Sequence, residues 1–145
     1  MKRDSFGGLD RFLDAQEGIY EEALNEILNG KKESHWMWFV FPQVKGLGMS
    51  FDANYYGIDG LEEAKDYLSN EVLRERLLEI SGALLTLDSS NSTEILGYPD
   101  DLKLKSSMTL FLVAEPECQI FQNVLDKFYD GDKDDLTLNM IGKIW

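Results

Sequence analysis

The aromatic segment 35–41 is the most unusual part of the sequence and the first candidate for chemistry. Trp36 and Trp38 either fill the core, where an indole N–H finds one partner, or stack on a flat ligand such as a base or a nicotinamide. Histidine is the residue type that exchanges protons near neutral pH, so His35 either moves a proton or satisfies nearby backbone groups. The amide of Gln43, just after the segment, can read the polar edge of a ligand.

A second polar cluster lies at 103–109, where two lysines alternate with hydroxyl residues. Cationic and hydroxyl groups together hold phosphate or carboxylate oxygens, so this segment is a candidate anion-binding surface. A solvated helix face is the alternative interpretation. The candidate ligand-binding residues of this cluster are Lys103, Lys105, Ser106, Ser107 and Thr109.

His35 is the single histidine of the sequence, the residue type whose unperturbed pKa is near neutral. If the protein is an enzyme, cleavage of an N-glycosidic bond is the first chemistry to consider. Asp101 or Glu17 would stabilise an oxocarbenium-like centre, and His35 would give or take the proton. Gln16 falls on the apolar stripe of the first predicted helix, where it is either a satisfied core amide or a ligand contact. The sequence leaves open whether any reaction is catalysed.

Several standard catalytic and metal-binding patterns are missing from the sequence. It has no Gly-x-Ser-x-Gly elbow, no phosphate-cradling loop and only an incomplete dinucleotide fingerprint. Cys118 is the single cysteine. It is either inert core or the partner of His35 in a nucleophilic pair, and we favour core. The acidic stretch 130–135 begins like a calcium loop but lacks the loop's glycine and final glutamate, which favours a capping turn. We therefore predict no metal and no cofactor.

The composition predicts one acidic globular domain over 1–145. Hydrophobic residues make up 43% of the 145 residues, an ordinary globular value. Lys plus Arg is 14 and Asp plus Glu is 27, so the formal net charge is −13. That charge disfavours nucleic acid and anionic membrane surfaces and leaves a small molecule as the expected partner. A single cysteine and the lack of an apolar signal-peptide segment predict a cytoplasmic protein. The oligomeric state does not follow from these features.

Apolar spacing places the candidates on a compact all-α fold of six to seven helices. The first predicted helix is long, 9–29, and 44–60 is predicted as a loop. The segment 34–43 fits a strand buried on both sides or a short helix that ends before Pro42. We favour the helix, because no other segment offers a partner strand. The other predicted helices are 61–68, one capped by Asn70, 99–113, one opened by Pro116, and 135–141. Ser92 is predicted to cap a short turn that runs to Leu96.

Two motifs identify a family resemblance. Residues 34–43 read Ser-His-Trp-Met-Trp-Phe-Val-Phe-Pro-Gln, and 106–111 read Ser-Ser-Met-Thr-Leu-Phe. Together with Gly46-Leu47-Gly48 and Asp100, they make the sequence resemble DUF1810, an uncharacterised family in which some bacterial members carry a misleading calpastatin label. The resemblance covers nearly the whole chain. It implies a compact, mostly α-helical fold with no established activity, and it implies that polar residues within the motifs line a site.

A fainter similarity is to the NADAR superfamily, typified by YbiA-like proteins. It rests on Ala15-Gln16, the segment 73–78, Gly97 and Asp101. This similarity implies a ligand related to NAD or ADP-ribose.

Two hypotheses about function follow. The first is a pocket between 35–43 and the helix carrying 103–109, which binds a nucleotide or an ADP-ribose-like metabolite and, if the protein is an enzyme, hydrolyses an N-glycosidic bond. The second is a non-enzymatic protein-interaction module in which the aromatic cluster is core or a docking groove. Exposure separates them, since a pocket requires part of the aromatic segment to reach an open cleft near Lys103.

Overall fold

The computed structural model describes residues 8–142, and this part of the chain contains ten helices joined by turns and loops. They are α1 (Asp10–Gln16), α2 (Tyr20–Leu28), α3 (Met37–Val40), α4 (Phe51–Tyr55), α5 (Gly60–Ser69), α6 (Glu71–Leu85), α7 (Ser92–Leu96), α8 (Asp100–Ala114), α9 (Gln119–Tyr129) and α10 (Asp135–Gly142). The only extended pairing within this part is an isolated parallel bridge between Val44 and Ile58. The prediction of an all-α fold is confirmed, but the predicted count of six to seven helices is too low.

Short local signals account for the additional helices. The long first helix is in fact α1 and α2, because Gly18 has a φ of +77° and breaks the helical path between them. The predicted loop contains α4, which is capped by the Ser50 hydroxyl accepting a hydrogen bond from the Ala53 amide at 3.1 Å. The aromatic segment forms a single helical turn, α3, which ends before Pro42 as predicted.

The predicted helix boundaries are mostly close to those observed. Asn70 caps α6 through a hydrogen bond from the Leu73 amide at 3.0 Å, which confirms the predicted cap. Asn91 rather than Ser92 caps α7. The helix expected to open at Pro116 begins three residues later, at Gln119.

The centre of the fold is α8, which packs against α5, α7, α9 and α10. Every residue of 106–112 is buried, as expected for a helix enclosed on all sides. The Phe111 ring lies 5.2 Å from the ring of Tyr67 on α5 and 5.9 Å from that of Phe121 on α9. Among residues 8–142, no helix combines the length and apolar character that a membrane span requires.

A buried ion pair joins α1 to α5. The Arg11 guanidinium binds both carboxylate oxygens of Glu63, at 3.0 and 3.1 Å. It also donates to the carbonyl oxygens of Tyr55 (2.7 Å), Gly57 (2.8 Å) and Gly8. All five N–H groups of the guanidinium are thereby used. The turn 55–57 is fixed between the two helices by these bonds.

Neutralising Glu63 should destabilise the fold strongly. In Glu63→Gln the Arg11 charge stays buried without a counter-charge, and we expect a loss of about 3–5 kcal/mol in the free energy of unfolding. Urea unfolding at pH 7 measures this loss. The matched control is Glu62→Gln, the exposed neighbour on α5, with an expected change of at most about 0.5 kcal/mol. Equal effects of the two substitutions would contradict a stabilising role for the buried pair.

Candidate functional site

Two adjoining cavities form a cleft between the segment that follows α3 and the first half of α8. The smaller one, the aromatic cavity, has a volume of about 130 Å³. The larger one, the lysine cavity, has a volume of about 260 Å³. Both are lined by Gln43, Leu47 and Lys103, so we treat them as one cleft. The aromatic cavity is also lined by Trp38, Val44, Gly48, Ala53, Tyr56 and Gly57, and the lysine cavity by Pro99, Leu102, Lys105, Ser106, Asp134 and Leu136.

The two tryptophans of the aromatic segment have different environments. Trp36 is 1% exposed, and its indole N–H donates to the Glu26 carboxylate at 2.8 Å, so it belongs to the core. Trp38 is half-buried and lines the aromatic cavity. The ammonium of Lys103 lies 3.8 Å from the centroid of the Trp38 ring, within the range of a cation–π contact.

Glu26 on α2 fixes the approach to α3. Its carboxylate accepts hydrogen bonds from the hydroxyl and amide of Ser34, the amide of Glu33 and the indole of Trp36. Burial raises the pKa of Glu26, but these hydrogen bonds outweigh it and lower the pKa to about 2. The carboxylate therefore holds the start of the aromatic segment in place at neutral pH.

Gln43 is held through its backbone and keeps its side chain available. Its carbonyl oxygen accepts from the Ile58 amide at 2.8 Å, and the Ile58 carbonyl accepts from the Lys45 amide at 2.8 Å. Within residues 8–142, the Gln43 side-chain amide makes no hydrogen bond. It is half-buried at the junction of the two cavities, where it can donate to or accept from a ligand.

The lysines of the cleft differ in their partners. Asp100 binds both Lys32 (2.9 Å) and Lys103 (3.1 Å), so one carboxylate balances two ammonium groups. Lys105 lines the lysine cavity, and its ammonium lies 5.9 Å from the centroid of the Tyr129 ring. In the described part of the chain, no carboxylate lies within 4 Å of the Lys105 ammonium. The cleft therefore carries a local positive charge on an acidic protein.

The hydroxyls of the second motif mainly join α8 to α10. Ser106 lines the lysine cavity and donates to the Asp134 carboxylate at 3.1 Å. That carboxylate also accepts from the amide (3.0 Å) and hydroxyl (2.6 Å) of Thr137. The hydroxyl of Thr109 accepts from the Asp134 amide at 2.9 Å. Ser107 is fully buried, and its hydroxyl has no hydrogen-bond partner among residues 8–142. Neither Ser107 nor Thr109 lines the cleft.

Gln16 takes the role of a core amide. It is 2% exposed and donates to the Phe39 carbonyl at 2.7 Å and to the Tyr67 hydroxyl at 3.1 Å. Arg76 donates to its side-chain oxygen at 3.3 Å. These bonds join α1 to α3, α5 and α6. Gln16 does not line either cavity.

The three candidate acid–base residues do not converge on the cleft. His35 and Glu17 are exposed, and Asp101 is buried, where its carboxylate accepts a hydrogen bond from the Thr93 hydroxyl on α7. None of the three lines either cavity. Groups of three or more histidine, cysteine or acidic side chains that could hold a metal ion are not found within 8–142.

Some residues of the cleft were not anticipated from the sequence. Tyr56, in the predicted loop, forms an aromatic wall, and its ring lies 5.3 Å from that of Phe39. Burial is the main cause that raises the pKa of Tyr56, so its phenol is neutral at pH 7. Leu102 and Leu136 are 50% and 65% exposed at the mouth of the lysine cavity. The sequence signal for these three residues was weak, because none of them lies in either of the two motifs.

Comparison with known proteins gives a family and a similar structure. The sequence profile described as "Protein of unknown function (DUF1810)" matches residues 7–141. The crystal structure of the conserved hypothetical protein Rv1873 from Mycobacterium tuberculosis is 46% identical, with a TM-score of 0.90, and the similarity covers 92% of this chain and 96% of that one. No curated protein matches the chain. The resemblance to DUF1810 is confirmed, whereas the similarity to NADAR proteins stays a prediction.

Stability should depend on the charge of Glu26. Its pKa is lower in the folded protein, about 2, than the ordinary 4.5 expected in the unfolded chain. The stabilisation is therefore complete above about pH 4.5 and is lost as the pH falls towards 2. We expect Glu26→Gln to lower the free energy of unfolding by about 1–3 kcal/mol at pH 7, with a smaller difference from wild type at pH 3. Urea unfolding at both pH values measures this. Glu21→Gln, on the exposed side of α2, is the control, and a pH-independent effect of Glu26→Gln would contradict the assignment.

Proposed function

The chain belongs to the DUF1810 family, whose function is unknown, and we propose that it binds a small anionic molecule in the cleft between α3 and α8. The observation that carries this proposal is the convergence on the aromatic cavity of Trp38 and Gln43, from the first motif, with Lys103, which precedes the second motif on α8. If the motifs only formed the core, the structure would give no reason for the Gln43 amide, which has no hydrogen-bond partner within residues 8–142, and the Lys103 ammonium to lie at the same open cavity.

The chemistry of the lining supports a ligand with two parts. Trp38 and Tyr56 offer aromatic surface to a flat apolar group, while Lys103 and Lys105 offer positive charge to an anionic group. A nucleotide or an ADP-ribose-like metabolite, the ligands expected from the sequence, has this combination. Together the two cavities lie near the lower end of the roughly 300–1,000 Å³ of a typical drug-sized site, which favours a small ligand.

The proposal is limited to binding. Hydrolysis of an N-glycosidic bond needs an acid or a base within hydrogen-bond reach of the reacting atoms. His35, Asp101 and Glu17 do not line the cleft. Asp134 does line it, but its Oδ2 atom accepts three hydrogen bonds from Ser106 and Thr137 and thereby joins α8 to α10.

A protein-interaction module is the second candidate, and one observation favours it. Leu102 and Leu136 are exposed at the mouth of the lysine cavity, and Tyr98 nearby in the chain is 77% exposed. Exposed apolar side chains that cluster on a surface are typical of partner-binding sites. This candidate gives the aromatic cavity no role, so small-molecule binding remains our preferred proposal.

Thermal unfolding with AMP, ADP-ribose and NAD at 1 mM tests small-molecule binding. A ligand with a dissociation constant of about 0.1 mM stabilises the protein by about 1.4 kcal/mol, which raises the Tm by a few degrees. We expect at least one of these ligands to do so. Lys103→Met should reduce this shift by removing the charge shared by both cavities.

The control for Lys103→Met is Lys65→Met, an exposed lysine on α5 that lies outside the cleft. Each variant is compared with its own ligand-free Tm, so a loss of intrinsic stability does not imitate a loss of binding. If Lys103→Met and a second cleft variant, Lys105→Met, both give the same shift as Lys65→Met, the cleft is excluded as the binding site.

A further inference from the structure

We infer that the ligand of the cleft is a monoanion with an apolar body, of the carboxylate class, whose charge is bound by Lys105 and Gln43. This inference rests on the proposed function and narrows its ligand class. It favours an amphiphilic carboxylate over the multiply charged phosphates of a nucleotide or of ADP-ribose.

The walls of the lysine cavity indicate an apolar body. Leu47, Pro99, Leu102 and Leu136 supply four apolar lining residues, and the two exposed leucines stand at the mouth. A ligand with hydrocarbon surface would remove these side chains from water, which is favourable in proportion to the apolar area buried. A ribose or a phosphate offers little surface of this kind.

The charges around the cleft indicate a single negative charge. The Asp100 carboxylate forms ion pairs with Lys103 at 3.1 Å and with Lys32 at 2.9 Å. The Lys103 ammonium also makes a cation–π contact with the Trp38 ring. Lys105 is the cationic lining residue without a carboxylate within 4 Å in the part of the chain that the structure describes. Its ammonium is therefore the charge available to a ligand.

Nearby carboxylates disfavour a second negative charge. Asp134 lines the same cavity as Lys105. Asp100 forms an ion pair with Lys103, which also lines that cavity. Both repel an anion, and the whole chain has a formal net charge of −13. Lys32, Lys103 and Lys105 set against Asp100 and Asp134 leave one net positive charge, which balances a monoanion but not the two or more charges of a phosphomonoester or a pyrophosphate.

Gln43 supplies the second contact that a carboxylate needs. Gln43 lines the lysine cavity together with Lys105, and its side-chain amide has no hydrogen-bond partner within residues 8–142. One carboxylate oxygen can accept from the lysine and the other from the amide N–H₂, which satisfies both oxygens.

Matched pairs of ligands test the charge requirement. Binding of octanoate and octanol, and of 3-phenylpropionate and 3-phenylpropanol, is followed by NMR titration of the full chain, alongside AMP and ADP-ribose. We expect each carboxylate to bind at least tenfold more tightly than its alcohol and more tightly than AMP. In Lys105→Met this tenfold preference should disappear, whereas Lys105→Arg and the control Lys65→Met should keep it.

The outcomes separate this inference from the proposed function. If AMP or ADP-ribose binds in the cleft more tightly than both carboxylates, the monoanion inference is overturned and small-molecule binding stands. Equal affinity for each acid and its alcohol, or an unchanged preference in Lys105→Met, overturns the role of Lys105. If none of the probes binds, the proposed function and the inference both fail.

Discussion

The buried guanidinium of Arg11 is the constraint on which the cleft depends. A charge this far from water is tolerated only when every donor has an acceptor, and Arg11 finds its acceptors in three separate segments. Glu63 belongs to α5, Tyr55 is the last residue of α4, and Gly57 lies in the turn that follows α4. Satisfying one side chain therefore brings α1, α5 and this turn together, and Tyr56 within the turn becomes a wall of the aromatic cavity.

Other buried polar groups position the remaining walls in the same way. Glu26 binds the residues before α3 and takes the indole N–H of Trp36, which leaves Trp38 as the indole that lines the cavity. Gln16 holds the carbonyl of Phe39 within α3. Asp134 receives bonds from Ser106 and Thr137 and so joins α10 to α8. Each of these groups stabilises the fold and orients a side of the cleft.

The electrostatics of the cleft run against those of the whole chain. At a formal net charge of −13 the protein repels anions at long range, yet Lys32, Lys103 and Lys105 gather near one site with Asp100 between two of them. An anion would therefore gain from contact at short range rather than from attraction over a distance. The ligand that we propose would therefore need an apolar part that contributes to binding, and the exposed leucines at the mouth of the cleft would contact that part.

The sequence by itself determined the all-α class, the family and the two segments that meet at the cleft, because helical periodicity, caps and motifs are local in the chain. Most of the helix boundaries also follow from the sequence, because Asn70 caps the helix that follows it and Pro42 ends the helix before it.

The sequence could not assign different roles to neighbouring residues of one motif. Trp36 and Trp38 are two residues apart, and only the approach of Glu26 from α2 assigns one to the core and the other to the cavity. Tertiary packing likewise places Gln16, Ser107 and Thr109 away from the cleft. The ion pair between Arg11 and Glu63 joins residues that are 52 positions apart in the sequence. Which polar groups find partners, and which stay available to a ligand, is decided by contacts between distant segments, and only the tertiary structure fixes those.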